Sequence, residues 1–229
     1  MESEKYRHEL KYHIKYSDYL SLRSRLLPVM QKDRNAGANG RYTVRSIYFD
    51  NYKDKALQEK IDGVARREKF RIRYYNDNLS YIVLERKMKV NSLCKKKNAQ
   101  ISEEECRKLL SGDTGWMLES PNKLVHELYV KIKNEQLYPK VLVSYIREPY
   151  VYMAGNIRVT FDFNIRSTLF HQSFLEEEPV DISVADDIGE MILEVKYDEY
   201  IPDIIFDLVQ TAGCRQNAFS KYCVCRKFG

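Results

Sequence analysis

The chain has 229 residues, 44% hydrophobic and 31% charged, with 9 Gly and 6 Pro. That mix excludes disordered, collagen-like and low-complexity chains, and the length suits one globular domain over residues 1–229. Lys and Arg number 38 against 33 Asp and Glu, a net charge of +5 that leans toward anionic partners without separating nucleic acid from nucleotide.

Apolar runs such as residues 81–84 and 150–154 fall far short of the roughly 20 residues a membrane-spanning helix needs. Residues 1–15 mix charges throughout and carry no apolar signal core, so the expected compartment is the cytoplasm. Five cysteines (Cys94, Cys106, Cys214, Cys223, Cys225) contain no CxxC pair and read as reduced thiols. Cys223-x-Cys225 alone is a weak zinc signal, because a structural site needs four ligands.

In chain order, period-2 alternation marks the strands. Residues 7–14 set Arg7, Glu9 and Lys11 against Leu10, Tyr12 and Ile14, and Ser17-Asp18 then opens an amphipathic helix over residues 19–27. Residues 43–50 read as a strand whose facing stays open, since Arg45 and Tyr48 have opposite parity. Residues 69–75 oppose Arg71 and Arg73 to Phe70, Ile72 and Tyr74; residues 81–89 oppose Glu85, Lys87 and Lys89 to Ile82, Leu84 and Met88. Lys95-Lys96-Lys97 is expected in a solvated hairpin turn or at the mouth of a tunnel.

Ser102-Glu103-Glu104-Glu105 is a capping box for a helix that stops at Gly112. A further helix is expected from Ser120-Pro121, with Pro in the first helical position, to about Leu137. Strands follow at 141–147, at 157–163 (Arg158 and Asp162 opposite Ile157, Val159, Phe161 and Phe163) and at 191–197 (Glu194 and Lys196 opposite Met191, Leu193, Val195 and Tyr197). A last helix begins near Pro202-Asp203.

If helices cover the apolar faces, the charged face is either open to water or turned inward as a closed barrel. In the second case Arg, Lys, Glu and Asp crowd together with the bases in excess, which is costly without a ligand and suits a polyanion with a hard divalent cation. A P-loop is excluded, since no GxxxxGK[ST] is present, and no HExxH marks a zinc hydrolase.

Several segments, taken together and in order, resemble the triphosphate tunnel metalloenzymes, and within them the catalytic domain of vacuolar transporter chaperone (VTC) type polyphosphate polymerases. They are Arg7-His-Glu-Leu-Lys-Tyr12, Ser46-Ile-Tyr-Phe-Asp50, Lys69-Phe-Arg-Ile-Arg-Tyr-Tyr75, Leu84-Glu-Arg-Lys87, Tyr145-Ile-Arg147, Ile157-Arg-Val-Thr-Phe-Asp162, Ile192-Leu-Glu-Val-Lys-Tyr197 and Phe219-Ser-Lys-Tyr222. The resemblance spans nearly the whole chain. It implies an α+β fold: a closed antiparallel barrel of about eight strands with helices packed on the outside and a basic tunnel within.

It also implies roles. Lys11, Arg71, Arg73, Lys87, Arg147, Arg158 and Lys221 would form the phosphate-binding catalytic lining, with Glu9, Lys89 and Lys196 as further substrate contacts. Glu194 would hold the metal, Mn²⁺ or Mg²⁺, with Glu85 and Asp162 as additional ligands. Many tunnel enzymes carry Glu-x-Glu-x-Lys where this chain reads Arg7-His-Glu9-Leu-Lys11, a shift toward anion binding that resembles the polymerase branch.

The implied activity is transfer of the γ-phosphoryl group of ATP to a growing polyphosphate chain, releasing ADP. Hydrolysis of inorganic or nucleoside triphosphates by the same lining, and a noncatalytic polyphosphate-binding module, are the alternatives. Nucleic acid is not an expected partner, because the aromatics fall on apolar strand faces and the interspersed carboxylates repel a phosphate backbone. Membrane association, for product export, would run through a partner protein; the oligomeric state is not set by the sequence.

Overall fold

Two-residue turns decide how the strands return on one another. Asn76 and Asp77 adopt φ of 50° and 54°, the left-handed pair that a tight hairpin demands and that Asn and Asp tolerate best after Gly. They join β4 (Arg66–Tyr75) to β5 (Asn78–Val90), with Tyr75 opposite Asn78. A computed structural model of the chain describes residues 6–91, 93–168, 171–176, 182–183, 191–210, 216 and 219–227. Cys214 lies outside the described residues; Cys94, Cys106, Cys223 and Cys225 are free thiols.

The remaining strands are β1 (His8–Ile14), β2 (Gln31–Lys32), β3 (Tyr42–Asp50), β6 (Leu93–Ile101), β7 (Tyr138–Tyr152), β8 (Ile157–Thr168), β9 (Ile182–Ser183) and β10 (Met191–Tyr197). Eight run in the order β1-β10-β8-β7-β3-β4-β5-β6, all antiparallel, while β2 pairs with β7 and β9 with β8. The helices are α1 (Tyr16–Leu26), α2 (Lys55–Ile61), α3 (Glu103–Leu110), α4 (Lys123–Glu135), α5 (Asp203–Val209) and α6 (Lys221–Lys227). The fold is α+β, built on one large antiparallel sheet.

The expected closed barrel is not formed by a ladder. Among the described residues the end strands meet at a single antiparallel bridge, Arg7 to Cys94, with N–H···O distances of 3.0 and 3.1 Å. From His8 onward β1 pairs with β10 along one edge, and no ladder joins its other edge to β6 among the described residues.

Two outer apolar clusters seat the helices. Leu109 of α3 and Leu124 and Leu128 of α4 pack on Phe49, Phe70, Ile72 and Leu84, while Leu22 and Leu26 of α1 and Ile205 of α5 pack on Val159, Phe161, Leu193 and Val195. Each fully buried side chain of this size contributes on the order of 1.5–3 kcal/mol. Helix α6 departs from the expectation of helices outside. Its Tyr222 and Cys225 pack on Val44, Val141 and Val143, on the same sheet face as the charged residues.

Other details differ from the sequence reading. Lys95, Lys96 and Lys97 lie within β6, not in a turn: Lys96 points inward to Glu85 at 2.9 Å and Lys97 outward to Glu127 at 2.7 Å. Helix α4 begins after Pro121, because the Asn122 side chain accepts the Leu124 amide at 2.9 Å and so caps the first turn. Arg45 belongs to the outer face, where it donates to the Tyr74 hydroxyl at 2.8 Å. Glu148, also outward and 2% exposed, accepts from Tyr19, Arg23 and Arg41 at 2.8 Å each and from Tyr150 at 2.5 Å, tying α1 to β7. Among the described residues no helix is long and apolar enough to cross a membrane.

Candidate functional site

Strand parity sends one set of charges to the concave face. Lys69, Arg71 and Arg73 alternate along β4, Lys87 and Lys89 along β5, Glu9 and Lys11 along β1, and Glu194 and Lys196 along β10. With Arg147 and Tyr145 from β7, Tyr48 from β3 and the Phe219-Ser220-Lys221 segment entering α6, they enclose a cavity of about 470 Å³. Lys60 of α2 and Arg67 complete one end. Eleven Lys and Arg side chains line it against three Glu, and although Glu85 and Asp162 pair with Arg71, Arg147 and Lys221 from outside the lining, the cations remain in excess.

The acids are gripped tightly. Glu194 lies 3.3 Å from Lys11, 3.0 Å from Lys196 and 3.2 Å from Arg147. Glu9 takes Lys87 at 2.6 Å, with Lys196 at 3.5 Å and Lys11 at 3.7 Å. Burial alone pushes these carboxyls up, but the surrounding ammonium and guanidinium groups win: Glu9 falls to about 2 and Glu194 lies well below the usual carboxylate range. Both are therefore ionised.

Lys69 has the opposite circumstance. Its ammonium has Ser220 Oγ at 3.5 Å and lies over the rings of Tyr48 and Tyr222, at 5.3 and 6.0 Å from their centroids, and no carboxylate approaches it among the described residues. Burial and the charges of Lys87, Lys11 and Arg71 lower it to about 8, although Tyr48 pulls the other way. Tyr48 itself, which burial would raise, is brought down to about 7 by Arg71, Lys69 and Arg73.

Of the residues expected to bind phosphate, Lys11, Arg71, Arg73, Lys87, Arg147 and Lys221 all line the cavity, as do Glu9, Lys89, Lys196 and Glu194. Arg158 does not: its guanidinium is held by the Tyr42 hydroxyl at 2.8 Å and Asp33 at 2.8 Å, outside the lining. Arg7 turns to Asp198 at 2.8 Å and contributes no charge to the cavity.

The expected metal trio is not brought together. Glu85 is taken by Arg71 at 2.5 Å and Lys96 at 2.9 Å, and Asp162 by Arg147 at 2.6 Å and Lys221 at 2.5 Å; neither lines the cavity. No three metal-ligating groups converge among the described residues. What the geometry offers instead is the Glu9 and Glu194 pair, both contacted by Lys11 and Lys196. Two carboxylates fit Mg²⁺ or Mn²⁺ when phosphate oxygens and water fill the remaining positions.

Lys69, Tyr48, Tyr145, Lys60 and Arg67 join the lining without having been anticipated. Lys69 shares the parity of Arg71 and Arg73, so the alternation already carried that signal; Lys60 sits on a helix the sequence reading did not find.

Solved structures with related folds are distant in sequence. A putative adenylyl cyclase from Hippeastrum described as having a dominant triphosphatase activity superposes with a TM-score of 0.57 at 13% identity, over 98% of this chain and 96% of its own. A putative adenylate cyclase from Bacillus halodurans gives 0.52 at 15% identity, over 84% of this chain and 80% of its own. At such identities the likeness speaks for the fold. No curated protein matches the sequence significantly. The family model of the VTC domain matches residues 6–228, nearly the entire chain, so the chain belongs to the VTC domain family.

Proposed function

We propose that the chain is a metal-dependent phosphotransferase that lengthens inorganic polyphosphate with the γ-phosphoryl group of ATP. The observation that carries this reading is the excess of eleven cationic over three acidic side chains around one cavity. A surplus of that size calls for a ligand with many negative charges along its length, and a phosphate chain supplies them with oxygens that Arg forks take in pairs.

Phosphoryl transfer asks for in-line positioning and neutralised charge more than for a protein nucleophile. Arg71 is set by Glu85 on one side and the Tyr48 hydroxyl at 2.8 Å on the other, so its fork is oriented before substrate arrives. Arg147 is set likewise by Asp162. Lys11, Lys87 and Lys196 balance the ionised Glu9 and Glu194, which would hold the divalent cation; when bound, that cation offsets charge on the transferring phosphoryl group. Lys69, which has no carboxylate partner among the described residues, is available to a phosphate oxygen.

Hydrolysis of a triphosphate by the same groups is the second reading, favoured by the lining's end at Arg73, Tyr145 and Arg147 with no continuation to Arg158. Incubating the protein with ATP and divalent cation and separating polymer from free phosphate decides between the two.

A further inference from the structure

The two ends of the cavity are unlike. Lys60, Arg67 and Lys89 at one end are partly exposed, whereas at the other the lining stops at Arg73 and Arg147, which are 5% and 7% exposed. Two residues beyond Arg73 on the same face of β4 stands Tyr75, and directly across the β3–β7 ladder from Arg147 stands Tyr42. Neither belongs to the cavity lining.

These two rings meet edge to face, centroids 5.5 Å apart and planes at 83°, a favourable aromatic geometry. Each is fixed by a guanidinium. Arg73 donates to the Tyr75 hydroxyl at 3.2 Å from the cavity side. Arg158 donates to the Tyr42 hydroxyl at 2.8 Å from the other side and is itself anchored by Asp33 at 2.8 Å. Beside the latch, Arg158 Nε and Thr160 Oγ1 are buried with no hydrogen-bond partner among the described residues. Orphaned buried donors are costly, and two of them on one strand face, next to a phosphate-chain cavity, ask for a ligand that reaches them in another state.

We propose that Tyr42 and Tyr75 form an aromatic stop at the end of the cavity, latched by the Arg158–Asp33 pair, and that this stop sets the length of phosphate chain the site admits. Closed, it leaves a blind cavity that holds a chain end. Released, it frees the Arg158 guanidinium and Thr160 hydroxyl to donate to a chain that runs past. The proposal rests on the phosphate-chain reading of the cavity and adds to it which residues decide between short and long ligands.

The test compares dissociation constants for tripolyphosphate and for long-chain polyphosphate in the wild-type protein and in Tyr42→Ala, Tyr75→Ala and Tyr42→Phe. The expected result is that Tyr75→Ala and Tyr42→Ala hold tripolyphosphate within about twofold of wild type yet bind the long chain roughly tenfold tighter, the scale of one added charge-assisted contact. Adding Arg158→Ala to Tyr75→Ala removes the gain. Tyr42→Phe keeps the ring and loses only the latch bond, so it shows a smaller gain of the same sign and serves as the probe if an alanine variant fails to fold.

A long-to-short affinity ratio unchanged from wild type in the folded variants overturns the stop. So does equal weakening of both ligands, which would make the rings a plain wall of the binding site. Failure of the wild-type protein to bind tripolyphosphate at all is a different result, and it overturns the phosphate reading of the cavity.

Discussion

Arg147 grips Asp162 through two parallel bonds, 2.6 Å from Nε to Oδ1 and 2.7 Å from Nη2 to Oδ2, with Lys221 closing on Oδ2 at 2.5 Å. Asp162 is 0% exposed, and its carboxyl falls to about 2 because Arg147 and Lys221 outweigh the burial that would raise it. Asp162 also lies outside the cavity lining, so its expected part is to orient Arg147 and Lys221. Asp162→Asn is expected to lower unfolding stability by about 3 kcal/mol, the usual cost of breaking a buried pair, as read by urea denaturation, while divalent-cation affinity stays as in wild type. Loss of cation binding in a folded Asp162→Asn protein would return Asp162 to the metal site.

Glu9 and Glu194 carry the opposite expectation. Glu194→Ala and Glu9→Ala should each abolish turnover and weaken Mn²⁺ binding, yet leave tripolyphosphate binding in EDTA as tight as wild type or tighter, since each removes a negative charge from a basic cavity. Calorimetric titration with and without metal checks this, and unimpaired turnover in either variant contradicts the assignment.

Lys69 gives the cavity a pH signature. Its folded-state value is about 8 against the usual 10.5, so between those two values the unfolded chain binds more protons than the folded one, and the contribution of Lys69 to stability rises as pH climbs through that window. Anion binding runs the other way, because deprotonation removes a cation that faces Tyr48, Lys87, Lys11 and Arg71 in the cavity. Tripolyphosphate affinity is therefore expected to fall from pH 7 to pH 9 while ligand-free thermal stability rises over the same range. Lys69→Met should make the affinity profile shallower between those pH values, the remaining slope belonging to Lys196, also lowered to about 8, and Tyr48, lowered to about 7; an unaltered profile in that variant assigns the effect to those groups.

The Tyr222 hydroxyl is one of the bonds that seat helix α6 in the concave face, beside Lys221–Asp162 and Arg226–Asp54. Tyr222 donates to Asp50 Oδ2 at 2.5 Å, and the same carboxylate accepts the Ala56 and Leu57 amides at 2.9 and 3.2 Å, at the start of α2. Tyr222→Phe should cost about 1 kcal/mol. Asp50→Ala, which also strips the amides of α2, should cost roughly twice as much. Thermal unfolding of the two variants checks the order; equal losses would show that α2 gains nothing from Asp50.

The alternation of Arg71, Arg73, Glu85, Lys87 and Glu194 was legible because each strand buries an apolar face under helices, and a period of two fixes the other face without reference to partners. Arg45 and Glu148 were not placed from the sequence. Arg45 shares its strand with inward Ser46 and Tyr48, and its bonds to Tyr74 and Asp77 reveal the outer side. Glu148 is satisfied by Tyr19, Arg23 and Arg41, all distant in sequence.

Glu85 and Asp162, expected as metal ligands, lie outside the cavity lining for a related reason. Parity puts Glu85, Asp162, Glu9 and Glu194 on one face alike, but which carboxylates are consumed by guanidinium groups depends on cross-strand register. Among the described residues only the Arg7–Cys94 bridge joins β1 to β6, a pairing that strand alternation by itself does not specify.

The most direct test of the account is to incubate the purified protein with ATP and Mn²⁺ and to separate ADP, free phosphate and polyphosphate, with Glu194→Ala as control. The account predicts long-chain polyphosphate in step with ADP, absent from the control. Free phosphate without polymer, or ADP formation undiminished in Glu194→Ala, would contradict it.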